Sequence, residues 1–117
     1  MQFMLFAWTR ESYFQTLPPA QQQTAAGAYV AFGEALRKEN VLVSSNRLRP
    51  SGETTQVTLD NGKTRVLNGP YAETKEQLGG FYILDCANLD DAIKYASLIP
   101  HAANGSVELR PIMVFDR

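Results

Sequence analysis

One cysteine and one histidine are all that this 117-residue chain carries of the softer metal ligands. Together with scattered carboxylates they make no ligand spacing of a known kind, so neither a metal nor another cofactor is expected. Cys86 has no second cysteine to pair with, which fits a reducing cytoplasm. It closes the apolar run Phe-Tyr-Ile-Leu-Asp-Cys, and no neighbouring base or cation is placed to activate it, so the thiol is read as a core residue. Long blocks of one charge are also missing. The 11 basic and 12 acidic residues nearly balance, which leaves no electrostatic footprint for nucleic acid or anionic lipid. The apolar run Phe3 to Trp8 is far shorter than a membrane span. It has no basic residues before it and is followed by Arg10 rather than a small-residue cleavage site, so it reads as a strand. The full P-loop spacing and the glycine-rich dinucleotide fingerprint are both absent.

What is present suits a single domain over residues 1–117, long enough to bury roughly two-thirds of the surface of its unfolded chain. Met1 to Trp8 is apolar on both alternating sets, the pattern of a central strand covered on two sides. Ala25, Tyr29, Phe32 and Leu36 recur at helical spacing, which predicts a helix from about Pro19 to Glu39 with prolines at its start. A short strand follows from Val41 to Leu48. Thr54 to Leu59 and Lys63 to Leu67 then form a hairpin around Asp60, Asn61 and Gly62, because Asn-Gly supplies the positive angles of a tight turn. Gly80 to Cys86 alternates as a strand. Asn88 caps a second helix with Asp90 and Asp91 in its first turn, Pro100 stops it, and Ser106 to Phe115 is the last strand. Two split βαβ units with an inserted β-hairpin make an α+β, ferredoxin-like sandwich with both helices on one face. The second apolar side of the first strand then needs a cover, and pairing with another copy as a homodimer is the cheapest one.

Residues 68–80, NGPYAETKEQLGG, follow neither a helical nor a strand period. Connections beyond about 12 residues without structure of their own tend to be functional or disordered, and this one has too many shape-fixing residues for disorder. The stretches NGPYAETKEQLGGFYILDC, NLDDAIKYASLIP and GSVELRPI resemble the YCII-related domain family, in the DGPF branch named after its Asp-Gly-Pro-Phe motif. The resemblance runs from about Val66 to Ile112 and implies a ferredoxin-like protomer that dimerises into an α/β-barrel-like assembly. It also implies an active-site cleft bordered by the motif loop, here Asn68, Gly69, Pro70 and Tyr71. Asn68 and Tyr71 stand where the motif has Asp and Phe. Asn68 keeps the shape of Asp without a titrating proton, so a turn-forming role survives better than that of a base. The His and Asp pair of the family's better-known members has no obvious match in this chain.

The candidate chemistry has two readings at each position. Glu73 and Lys75, behind the Gly-Pro corner, could move a proton or hold a polar ligand, or they could be a solvated turn; Glu76 reads as solvated turn. Gly79 and Gly80 allow a sharp bend or a close ligand, and also mark a strand entrance. Arg110 alternates with Val107 and Leu109, which directs it to the open sheet face, either to grip an anion in a fork or to pair with Asp85 or Glu108. His101, just past the second helix, is either an acid-base group or a stabilising surface residue. Glu73 and His101 are thus the expected catalytic pair. The expected ligand contacts are Asn68, Gly69, Pro70, Tyr71, Lys75 and Arg110. The leading expectation is a homodimeric cytoplasmic protein that binds a small polar or anionic metabolite, with acid-base catalysis one version of it and a noncatalytic binding or regulatory module the other. A third reading has the open sheet face dock another protein.

Overall fold

The structure, a computed structural model, describes residues 1–70, 74–100 and 105–114. Strand β1 (Gln2–Thr9) lies between β5 (Gln77–Asp85) and β6 (Ser106–Pro111), antiparallel to both. Strand β2 (Leu42–Arg47) extends the sheet beyond β5, giving the order β2-β5-β1-β6. Helix α2 (Pro19–Lys38) follows β1 and helix α3 (Leu89–Ser97) follows β5. With the hairpin of β3 (Thr55–Asp60) and β4 (Lys63–Asn68) set aside, this is a βαββαβ order with the helices on one face, as the pattern of the sequence predicts.

Side-chain alternation on β1 decides which face is which. Phe3 and Leu5 are fully buried and pack with Phe32 and Leu36 of α2, Ala92 and Ala96 of α3, and Leu84 and Cys86. The expected stripe of α2 therefore docks on the sheet, and the Cys86 thiol is buried there, its pKa pushed up by desolvation and by the charges of Asp91 and Asp85. Met4, Phe6 and Trp8 occupy the other face and are half-buried. Each helix ends as local chemistry requires. Asn40, at φ 59°, takes the left-handed conformation after α2, while Asn40 N–H donates to the Arg37 carbonyl and Val41 N–H to that of Leu36, a Schellman closure. The Asn88 side chain accepts from the Asp91 amide at 2.9 Å and so caps α3.

Three features depart from the expectation. A short helix α1 (Glu11–Thr16) stands before α2. Six residues cannot sustain a helix alone, and α1 depends on tertiary ties that no local pattern announces. The last strand stops at Pro111, opposite Phe3, instead of running on toward Phe115, and beyond it the Ile112 amide still donates to the Gln2 carbonyl at 2.9 Å. Four residues of the supposed long loop, Gln77 to Gly80, already belong to β5. The hairpin of β3 (Thr55–Asp60) and β4 (Lys63–Asn68) is where it was predicted. Asn61 and Gly62 have φ of 50° and 80°, and every strand residue but Gln56 is exposed. No described helix is long and apolar enough to cross a membrane.

Leu36 is 1% exposed and Leu98 is 66% exposed. Replacing Leu36 with Ala should cost about 2–5 kcal/mol of stability by loss of apolar contact and creation of a void. Leu98→Ala should stay within about 0.5 kcal/mol, and urea unfolding of both variants measures the contrast.

Candidate functional site

The walls of the gap between α2 and the sheet are built from residues too small to fill it. Ala7, Gly79 and Gly80 line the sheet side, and Ala25, Ala26 and Ala28 line the helix side. They leave a cavity of about 810 Å³. It lies on the same face of the sheet as the core but toward the end of β1, past the point where Phe32 and Leu36 close the layer.

Two glycines fix the floor. The β1–β5 register slips between Ala7 and Trp8, so that Ala7 faces Gly80 while Trp8 faces Leu78, and Gly79 is the residue left over. A Cβ on Gly80 would sit 2.8 Å from the Asn46 carbonyl oxygen, and one on Gly79 would sit 3.0 Å from Thr9 Oγ1. Both glycines lie inside β5 at the bulge and not at its entrance: Gly80 lets β2 come close, and neither carries a side chain into the cavity that they line.

Helix α1 forms one rim, and its position is set by hydrogen bonds. The Glu11 carboxylate accepts from the Ser51 amide at 2.6 Å and from the Ser51 hydroxyl at 2.8 Å, which ties α1 to the 3₁₀ turn Ser51–Glu53. Gln77 accepts from the Glu11 amide at 3.1 Å and donates to the Thr74 carbonyl at 2.6 Å, so one carboxamide joins the start of α1 to the segment before β5. Gln22 of α2 donates to the Leu17 carbonyl at 3.0 Å and to that of Phe14 at 3.3 Å. The Arg47 guanidinium lies over the Phe14 ring, 5.1 Å from its centroid, a cation–π arrangement that links β2 to α1 across the cavity rim.

Polar side chains in the lining include Thr24, Ser45, Asn46 and two half-buried tyrosines. Tyr82 meets Phe32 edge-on at 5.4 Å between ring centroids and lines the cavity with Tyr29. Burial pushes the Tyr29 phenol up to about 12, with the neighbouring Tyr82 adding to the rise and Arg47 opposing it. The Tyr82 phenol is also raised by burial. Both hydroxyls therefore keep their protons at neutral pH. No group of three or more potential metal ligands is found among the described residues.

Of the residues singled out from the sequence, Gly79 and Gly80 line the cavity. Glu73, Tyr71 and His101 lie outside the described residues. Asn68 is exposed at the end of β4, opposite Thr55; the positive angle belongs to Gly69, at φ 99°, whose amide donates to the Thr54 carbonyl and closes the hairpin base. Pro70 and Lys75 are exposed. Glu76, read as a solvated turn, accepts from the Ser106 hydroxyl at 2.7 Å. Arg110 pairs in register with Met4, which puts it on the open face, and it forms no ion pair with a described residue, Asp85 and Glu108 included. None of Asn68, Gly69, Pro70, Lys75 and Arg110 lines the cavity. Sequence reading did not single out Glu11, Arg47 or Tyr82, and Tyr29, expected in the core-facing stripe, packs against the core and also lines the cavity. A signal existed in β2: Ser45 and Arg47 occupy its helix-facing set, where a filled core would call for apolar side chains.

The model of the YCII-related domain matches residues 1–116. An uncharacterized protein of Rhizobium meliloti (strain 1021) is 44% identical over 71 residues, a stretch that covers 59% of this chain and 57% of that protein. Among solved structures, the fold is similar to 5-chloro-2-hydroxyhydroquinone dehydrochlorinase from Burkholderia phenoliruptrix AC1100, in complex with 2,5-dihydroxybenzoquinone. The TM-score is 0.56 at 16% identity, and the match covers 97% of this chain and 94% of the other.

The raised tyrosine has a consequence for pH. Its neutral form is favoured by folding, so its contribution to stability is complete below pH 10 and is lost as pH rises toward about 12. Tyr29→Phe should flatten the fall of stability across that window, and should remove a late-titrating phenol from the absorbance change at 295 nm.

Proposed function

The chain belongs to the YCII-related domain family, and on that premise we propose that it is a small-molecule binding protein whose site is the cavity between α2 and the sheet. The carrying observation is the cavity itself. About 810 Å³ falls within the range of roughly 300–1,000 Å³ typical of ligand pockets, and its small apolar walls with polar side chains among them fit the usual make-up of such sites. The Tyr82 hydroxyl and Arg47 supply hydrogen-bond donors and positive charge. Among the described residues that line the cavity Glu11 is the one carboxylate, and it is occupied by Ser51. The structural neighbour, a dehydrochlorinase in complex with a dihydroxybenzoquinone, supports a ring-sized organic molecule as the kind of ligand this scaffold takes.

Two further elements belong to the proposal. The stretch Asn68 to Tyr71 supports membership of the DGPF branch. The open sheet face supports a homodimer: Met4, Phe6, Phe81 and Ile83 form an apolar strip there. The buried indole N–H of Trp8 also finds no acceptor among the described residues, a cost that an interface could relieve.

A thermal-shift screen of small ring compounds, followed by amide chemical-shift mapping of the hits, tests the site. Ala25→Phe, which fills the cavity, should abolish the shifts at Tyr29 and Tyr82 without lowering the melting temperature of the free protein; hits that bind the filled variant equally well would place the site elsewhere. For the dimer, light scattering at micromolar concentration should give twice the chain mass, and Phe6→Glu should give monomers or insoluble protein. A monomeric native protein would exclude the assembly.

A further inference from the structure

Among the described residues that line the cavity, the charged ones are Arg10, Glu11 and Arg47, and their charges do not balance. Glu11 is held by two donors of Ser51 and has its negative charge satisfied there. Neither Arg10 nor Arg47 forms an ion pair with a described residue, whereas Arg49 is paired with Glu53 and Arg65 with Asp60. Arg47 is also held in place: its guanidinium rests on the Phe14 ring, its charge is felt by Tyr29, and its strand neighbour Ser45 lies beside Tyr82. A fixed, unpaired guanidinium next to neutral phenols is a recognition element for an anion, because it offers a planar fork of donors that loses little freedom on binding. Beyond it the walls include Ala7, Ala25, Gly80 and the rings of Tyr29 and Phe14 beside polar side chains such as Thr24 and Asn46, and the small and aromatic residues favour a flat apolar body.

Resting on the reading of this cavity as a ligand site, we infer that its ligand class is the flat organic anion, an aromatic or conjugated carboxylate or similar oxyanion. Its charged group lies at Arg47 and its ring between α2 and the sheet. The neutral Tyr82 phenol adds a hydrogen bond to the anion or to a ring substituent, and the Tyr29 ring adds apolar contact.

The test uses a matched pair of probes on the full chain, 2-naphthoate and 2-naphthamide, which share size and shape and differ in charge. Affinities come from titration of the Tyr29 and Tyr82 resonances. Naphthoate should bind at least about tenfold more tightly than naphthamide. Arg47→Met should bring that ratio close to one, while Arg65→Met, which removes the same charge from the hairpin, should leave it intact. Equal affinities in the native protein would overturn the anion inference and leave the cavity reading standing. A preference that survives Arg47→Met would overturn the assignment to Arg47, and a preference lost equally in Arg65→Met would trace it to overall charge. If neither probe moves the two tyrosines, the cavity reading falls and the inference with it.

Discussion

Burial of strand β1 is the constraint on which the rest of the structure depends. Phe3 and Leu5 are withdrawn completely from water, and each contributes roughly 1.5–3 kcal/mol relative to exposure. That burial requires a helix layer above and hydrogen-bonding neighbours on both edges. β5 and β6 satisfy the edges, and α2 and α3 supply the layer. The register then follows, because a slip of one residue on β1 would turn Phe3 and Leu5 outward and bring Met4 and Phe6 into the core.

The cavity arises where that burial ends. Along β1 the helix-facing residues pass from Phe3 and Leu5 to Ala7, and on β5 from Leu84 and Tyr82 to Gly80. Side-chain volume falls in both strands toward the same end of the sheet. On α2 it falls in the same direction, from Leu36 and Phe32 to Ala28 and Ala25. The two layers cannot close there, and α1 covers part of the gap without filling it. The ties that hold α1 run through Glu11 to Ser51 and through Gln77 to Thr74, so the rim is joined to the 3₁₀ turn and to the segment that leads into β5.

A second consequence is the shape. The molecule measures 49 × 48 × 18 Å, with a radius of gyration of 16.4 Å, above the roughly 13 Å expected of a compact chain of this length. The hairpin β3–β4 accounts for much of this, since it forms a sheet of its own with Val57, Leu59, Val66 and Leu67 exposed. A two-stranded hairpin is marginally stable alone. Its base is tied by the Gly69 amide to the Thr54 carbonyl, and Val57 opposite Val66 is the apolar cross-strand pair within it.

The sequence by itself determined the elements whose signals are local. Two-sided apolarity on residues 1–8, the four-three-four spacing of Ala25, Tyr29, Phe32 and Leu36, the Asn-Gly turn and the Asn88 cap each involve residues within a turn or a strand of one another, and each became the element it predicted. The site was much less legible. Attention went to residues 68–76 and to Arg110 because their polarity and glycine content stand out along the chain, whereas the cavity is defined by what is small on three separate segments. Alanine in a helix and glycine read as a strand entrance have ordinary local explanations. Only the antiparallel pairing of β5 with β1 and β2, and the docking of α2 above them, brought Ala25, Ala7 and Gly80 opposite one another and set Arg47 over Phe14. Those contacts join residues far apart in the chain, and no periodicity within a segment specifies where its neighbours will leave space.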